Sequence, residues 1–148
     1  MKIYIILALV ALTSAEWKPK SHEEWLEIEA KCKEQRKMTP ELEERIKNEP
    51  YLPKEAFEFH LCCLRSTDLW SDSEGFSLEG MTAILDRIPD EEKIDKDAQR
   101  DILKKCIDNN SEGSTPFDWA YRCYKCFKDN GDFLKNIGKA KFHDHKEH

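Results

Sequence analysis

Apolar residues along this 148-residue chain recur every three or four positions. Trp25, Ile28 and Cys32 follow that spacing, as do Leu42 and Ile46. Further on, Leu78, Met81, Ile84, Leu85 and Ile88 form one set, and Ile102, Leu103, Cys106 and Ile107 another. This is the period of amphipathic helices, and there is little of the alternation a sheet would need. Boundary residues agree with it. Ser21 with Glu24 is a capping box ahead of a first helix. Thr39-Pro40 and Thr115-Pro116 place a capping hydroxyl before a proline at the first helical position, opening a second and a sixth helix. Ser77 can cap a fourth helix ended by Pro89, and Asp95 or Asp97 a fifth.

Pro50 and Pro53 break the chain before a third helix, predicted over residues 54–67. It carries Ala56, Phe57, Phe59, Leu61, Cys62, Cys63 and Leu64, apolar around most of its circumference, and is expected to be the most buried. Residues 71–75 read as a polar loop and residues 109–113 as a turn. The sixth helix runs from Phe117 to about Lys128, with Gly131 to end it. Phe133, Leu134 and Ile137 suit one last short helix. An all-α fold in a single domain is the expectation.

The first residues bear on compartment. Lys2 precedes an apolar run over residues 3–12, and Thr13 and Ala15 are small residues at the −3 and −1 positions of a cleavage site. This is the pattern of a secretory signal peptide. Cleavage after Ala15 would leave residues 16–148 as the mature domain. The run is too short to span a bilayer, and nothing later approaches the necessary length.

Composition narrows the function classes. Charged residues make up 36% of the chain, and the formal charge is −6. An acidic chain is poorly suited to nucleic acid or anionic membranes, so neither nucleic-acid binding nor membrane insertion is expected. Cys32, Cys62, Cys63, Cys106, Cys123 and Cys126 make an even count, which on a secretory route reads as disulfides first. Cys62-Cys63 with Cys123-x-x-Cys126 is poor geometry for zinc, and a thioredoxin-like pair lacks its βαβ setting. Nothing orients His60 toward a cysteine nucleophile. Glu43-Glu44 and Glu91-Glu92 are adjacent, solvated charges, and His143, His145 and His148 form a polar tail. No phosphate loop or serine-hydrolase elbow occurs. No enzyme, metal site or cofactor is expected.

The cysteine spacing is the specific signal. Cys32, 26 residues, Phe59, three residues, Cys63, 42 residues, Cys106, ten residues, Phe117, eight residues, Cys126 resembles the frame of insect odorant-binding proteins. Phenylalanines stand at the second and fifth cysteine positions, which bond each other in that family, so the chain resembles its "minus-C" branch. Leu69-Trp70 before Ser73-Glu74-Gly75, and Trp119-Ala120-Tyr121-Arg122, resemble one fly and mosquito branch. The resemblance implies a six-helix shell, to which the sequence adds a short seventh helix, stapled by disulfides around an apolar cavity. It also implies the pairs Cys32–Cys63 and Cys106–Cys126, with Phe59 touching Phe117 in place of the lost bridge. Cys62 and Cys123 depart from the frame. A displaced bridge between them, free buried thiols, and pairing with another chain all remain open.

On this reading the chain is a secreted carrier of small hydrophobic molecules, with odorants, pheromones or fatty acids as the implied ligand class. A receptor or a second copy of the chain are further candidate partners. Residues expected in or beside the cavity are Phe57, Leu61, Leu64, Leu69, Trp70, Phe76, Met81, Ile84, Leu85, Ile88, Leu103, Ile107, Ala120, Tyr121, Tyr124 and Phe127. Tyr121 and Tyr124 are the candidate polar anchors, because a buried phenol needs a partner. The alternative is a secreted effector, of salivary or venom type, binding host proteins or mediators through the same scaffold.

Overall fold

The computed structural model describes residues 16–35 and 37–140. The expected signal peptide and the histidine tail lie outside the described residues. Within them the chain forms α1 (His22–Gln35), α2 (Pro40–Asn48), α3 (Lys54–Ser66), β1 (Trp70–Ser71), β2 (Gly75–Phe76), α4 (Leu78–Asp86), a 3-10 turn (Asp90–Glu92), α5 (Lys96–Cys106), α6 (Pro116–Asp129) and α7 (Phe133–Ile137).

The caps set most of these boundaries. Glu24 N–H donates to Ser21 Oγ at 3.2 Å and Ser21 N–H to Glu24 Oε1 at 3.3 Å, so two otherwise unpaired donors of α1 are satisfied reciprocally. Thr39 caps α2 through Leu42 N–H, Ser77 caps α4 through Gly80 N–H, Asp95 caps α5 through Ala98 N–H, and Thr115 caps α6 through Asp118 N–H. Each such cap contributes about 1 kcal/mol. Gly131, at φ +63°, turns the chain between α6 and α7.

α1 packs on α3, α4 on α5, and α6 on both α3 and α5, with α7 resting on α6. α3 is buried on one side only. Ala56, Phe57, Leu61 and Cys63 are buried, while Lys54, Glu55, Glu58, Arg65 and Ser66 form a solvated stripe. α6 buries Trp119, Ala120, Cys123, Tyr124 and Phe127, so α3 is not the single central helix its composition suggested. Aromatic edges join the elements. Phe57 meets Phe117 at 5.7 Å and Tyr121 at 5.2 Å, Trp70 meets Phe76 and Trp119 at 5.0 Å, and Phe76 meets Phe127 at 5.4 Å. Each contact is worth about 0.5–1.5 kcal/mol beyond its area burial.

The loop at residues 71–75 is the turn of a small hairpin, with Trp70 paired to Phe76 and Ser71 to Gly75. Two residues per strand are too few to leave a periodic trace in the sequence. Gly75 has φ +81°, and a Cβ there would lie 2.5 Å from Trp119 Cζ2.

Two disulfides staple the shell. Cys106–Cys126 joins α5 to α6, and Cys32–Cys62 joins α1 to α3. By loop entropy each contributes about 3–4 kcal/mol. The expected Cys32–Cys63 pair is corrected by one residue, and no Cys62–Cys123 bridge forms; Cys63 and Cys123 are free and buried. Helical phase supplies the reason. Cys63 shares an α3 face with His60 and Thr67, about 100° around the helix from Cys62. That face turns inward, leaving Cys62 toward α1. The correction moves the family's second cysteine position from Phe59 to Glu58. Phe59 lies against His60, and Phe117 against Phe57 and Tyr121, so the expected Phe59–Phe117 contact is replaced. Glu58 and Phe117 instead line one surface groove with Leu61 and Arg65.

Two outcomes follow. Glu58→Cys with Phe117→Cys oxidises to a third bridge and adds up to about 4 kcal/mol, whereas Phe59→Cys with Phe117→Cys remains reduced; non-reducing peptide mapping and urea unfolding read both. Gly75→Ala loses about 2–5 kcal/mol in urea unfolding, from the crowded Trp119 ring and the left-handed backbone together. An unchanged midpoint would mean that the hairpin does not need glycine there.

Candidate ligand-binding cavity

The helices do not close completely on one another. A cavity of about 300 Å³ remains, lined by Trp25, Leu52, Phe57, His60, Cys63, Leu64, Thr67, Leu69, Phe76, Met81, Ile84, Tyr124, Leu134 and Ile137. Its interior is made by buried side chains of α3, the hairpin, α4 and α6. Trp25 from α1, Leu52, His60, Leu64, and Leu134 and Ile137 from α7 are partly or fully exposed and form its rim. No aspartate, glutamate, lysine or arginine among the described residues lines it. A second, wider groove of about 630 Å³ runs along residues 16–20 and the hairpin. Charged side chains line much of that groove, which makes it a solvated surface rather than an apolar site.

The connection between α2 and α3 closes one side of the cavity, and α6 holds it there. Tyr121 O–H donates to the Leu52 carbonyl at 2.7 Å, and Leu52 N–H donates to the Tyr124 oxygen at 2.9 Å. Tyr51 O–H donates to the Asp129 carboxylate. The Lys125 ammonium stands 5.2 Å from the Tyr51 ring centroid and 5.9 Å from that of Tyr121, within cation–π range. At the other end of α3, Trp17 Nε1–H donates to the Thr67 carbonyl at 3.0 Å.

Of the residues singled out in the sequence, Phe57, Leu64, Leu69, Phe76, Met81, Ile84 and Tyr124 line the cavity. Leu61, Trp70, Leu85, Ile88, Leu103, Ala120 and Phe127 are close-packed core, and Ile107 packs half-buried against it. Tyr121 is half-buried, its hydroxyl committed to Leu52. Trp25, Leu52, His60, Cys63, Thr67, Leu134 and Ile137 were not expected. Trp25 lies on the inward stripe with Ile28 and Cys32, and His60, Cys63 and Thr67 share the α3 face of Phe57 and Leu64. Helical phase therefore held a signal for these four. Leu52 sits between two prolines, and α7 is too short to show a face.

Burial raises the Cys63 thiol from its ordinary range to about 11, and Cys123 is raised for the same reason. Both are therefore protonated at neutral pH, and the wall that Cys63 contributes is uncharged.

Among the described residues, a helical shell stapled by two disulfides surrounds a cavity lined largely by apolar side chains, the architecture of a small-ligand-binding protein. Residues 14–130 match the PBP/GOBP family, and the chain belongs to it. It is 24% identical over 132 residues to odorant-binding protein 22 of Aedes aegypti, covering 88% of this chain and 91% of that one. It is 25% identical over 128 residues to general odorant-binding protein 99a of Drosophila melanogaster, covering 85% and 88%. No helix among the described residues is long and apolar enough to cross a membrane.

Thiol chemistry tests the cavity wall. The folded protein should be nearly inert to iodoacetamide at about pH 8, and the rate should climb as pH approaches 11, because only the thiolate reacts. Two thiols per chain should become reactive on unfolding without reductant, mapping to Cys63 and Cys123. Recovery of Cys62 as a reactive thiol would contradict the Cys32–Cys62 bridge.

Proposed function

We propose that the protein is a secreted carrier, released after loss of residues 1–15, that holds one small hydrophobic molecule in the cavity between α3, α4, α6 and α7. The observation that carries this reading is an uncharged cavity of about 300 Å³ inside a disulfide-stapled shell. Its volume is at the lower end of the roughly 300–1,000 Å³ usual for small-molecule sites. The family match and the names of the two relatives support an odorant-binding carrier. Odorants, pheromones and fatty acids are the ligand classes the reading covers. Two disulfides among the described residues support placing the chain with the two-bridge, minus-C members.

The mechanism is transfer from water. Apolar surface leaves solvent at roughly 25 cal/mol per Å², and a preformed wall limits the ordering that binding would otherwise require. The effector alternative has no specific observation in its favour.

An environment-sensitive apolar dye, N-phenyl-1-naphthylamine, tests the site. It should bind the oxidised protein with micromolar affinity and fail to bind the reduced, unfolded chain. Leu64→Trp, which fills the cavity from a half-buried position, should weaken binding at least tenfold while helicity is retained. Unchanged dye affinity in that variant would place the binding site elsewhere.

A further inference from the structure

The two tyrosines that hold Leu52 use opposite halves of the hydroxyl group. A phenol has one proton to donate and lone pairs to accept with. Tyr121 gives its proton to the Leu52 carbonyl at 2.7 Å. Tyr124 receives the Leu52 N–H at 2.9 Å, and its own proton goes to no acceptor among the described residues. Tyr124 is 8% exposed, and it and Leu52 both line the cavity. A buried donor left unused is costly, so a ligand oxygen within reach would be favoured.

The other polar groups of the cavity are less available. Thr67 donates its hydroxyl proton to the α3 carbonyls of Cys63 and Leu64, at 2.9 and 3.2 Å. Trp25 Nε1–H donates to Glu29. Cys63 is a weak donor. His60 sits at the rim, where partial burial lowers its pKa below the ordinary histidine value. With no lysine or arginine among the described lining residues, a carboxylate would give up its water for no cation.

We infer that the cavity selects neutral molecules with an oxygen acceptor near one end, such as alcohols, aldehydes, ketones or esters, and that the Tyr124 hydroxyl is the donor that selects them. This narrows the carrier reading and rests on it. Ionised fatty acids are disfavoured by their charge.

Displacement of N-phenyl-1-naphthylamine at about pH 7.5 tests the inference with 1-decanol, undecane and decanoate. The natural protein should prefer 1-decanol to undecane by roughly three- to tenfold, the range of one neutral hydrogen bond. Decanoate should bind at least tenfold more weakly than 1-decanol. Tyr124→Phe should remove the preference for 1-decanol over undecane. Tyr121→Phe loosens the same Leu52 contact but leaves the Tyr124 proton in place, and should keep that preference. Decanoate binding as tightly as 1-decanol, or an unchanged preference in Tyr124→Phe, would overturn the inference while leaving a carrier. The first comparison needs only the natural protein, so it decides even if a variant fails to fold. A dye that does not bind the oxidised protein at all would overturn the carrier reading as well.

Discussion

The ring of Phe57 is the contact on which the arrangement of α3 depends. It is buried between α3 and α6, against Phe117, Tyr121 and Tyr124, and it also faces the cavity. On its other flank α3 is fixed covalently to α1 through Cys62. A helix held by a bond on one side and an aromatic cluster on the other cannot roll to fill the space beside it. The void therefore persists, although burying more apolar surface there would be favourable. Removing the ring would loosen the aromatic hold and widen the gap together, since the same side chain spaces the helices and lines the gap.

The covalent and packed restraints are unevenly distributed. α5 and α6 are joined by Cys106–Cys126, and α1 and α3 by Cys32–Cys62, but among the described residues α3 and α6 meet without a disulfide, by packing, a Lys54–Tyr121 cation–π contact and the tyrosine contacts to Leu52 just before α3. The protein thus consists of two stapled pairs in non-covalent contact along the seam where the cavity lies. Opening along that seam breaks no covalent bond. This is the cheapest direction for the structure to yield.

Helix positions were legible because caps are local. Ser21, Thr39, Ser77 and Thr115 each satisfy a backbone donor three residues away, which needs no knowledge of the rest of the fold. The cavity was legible only in part, because apolar character specifies burial and not whether the neighbouring space is filled. Leu64 and Leu61 are alike in the sequence, yet one lines the void and the other is core. The bonded cysteine was misplaced because Cys62 and Cys63 are adjacent, and spacing alone absorbs a shift of one residue. Their 100° separation around α3, combined with the inward face of His60 and Thr67, decides between them. The hairpin at Trp70 and Phe76 left no pattern because its strands are shorter than one full alternation.

Leu52 is gripped entirely through its peptide group. Tyr121 holds its carbonyl and Tyr124 its amide, and neither contact involves the isobutyl group that faces the cavity. Every residue type except proline offers the same amide and carbonyl. Position 52 therefore separates anchorage from lining. The bulk or polarity of this wall can be exchanged in a single codon while the connection stays fastened to α6, making it a natural place for descendants of this chain to diverge in what they carry.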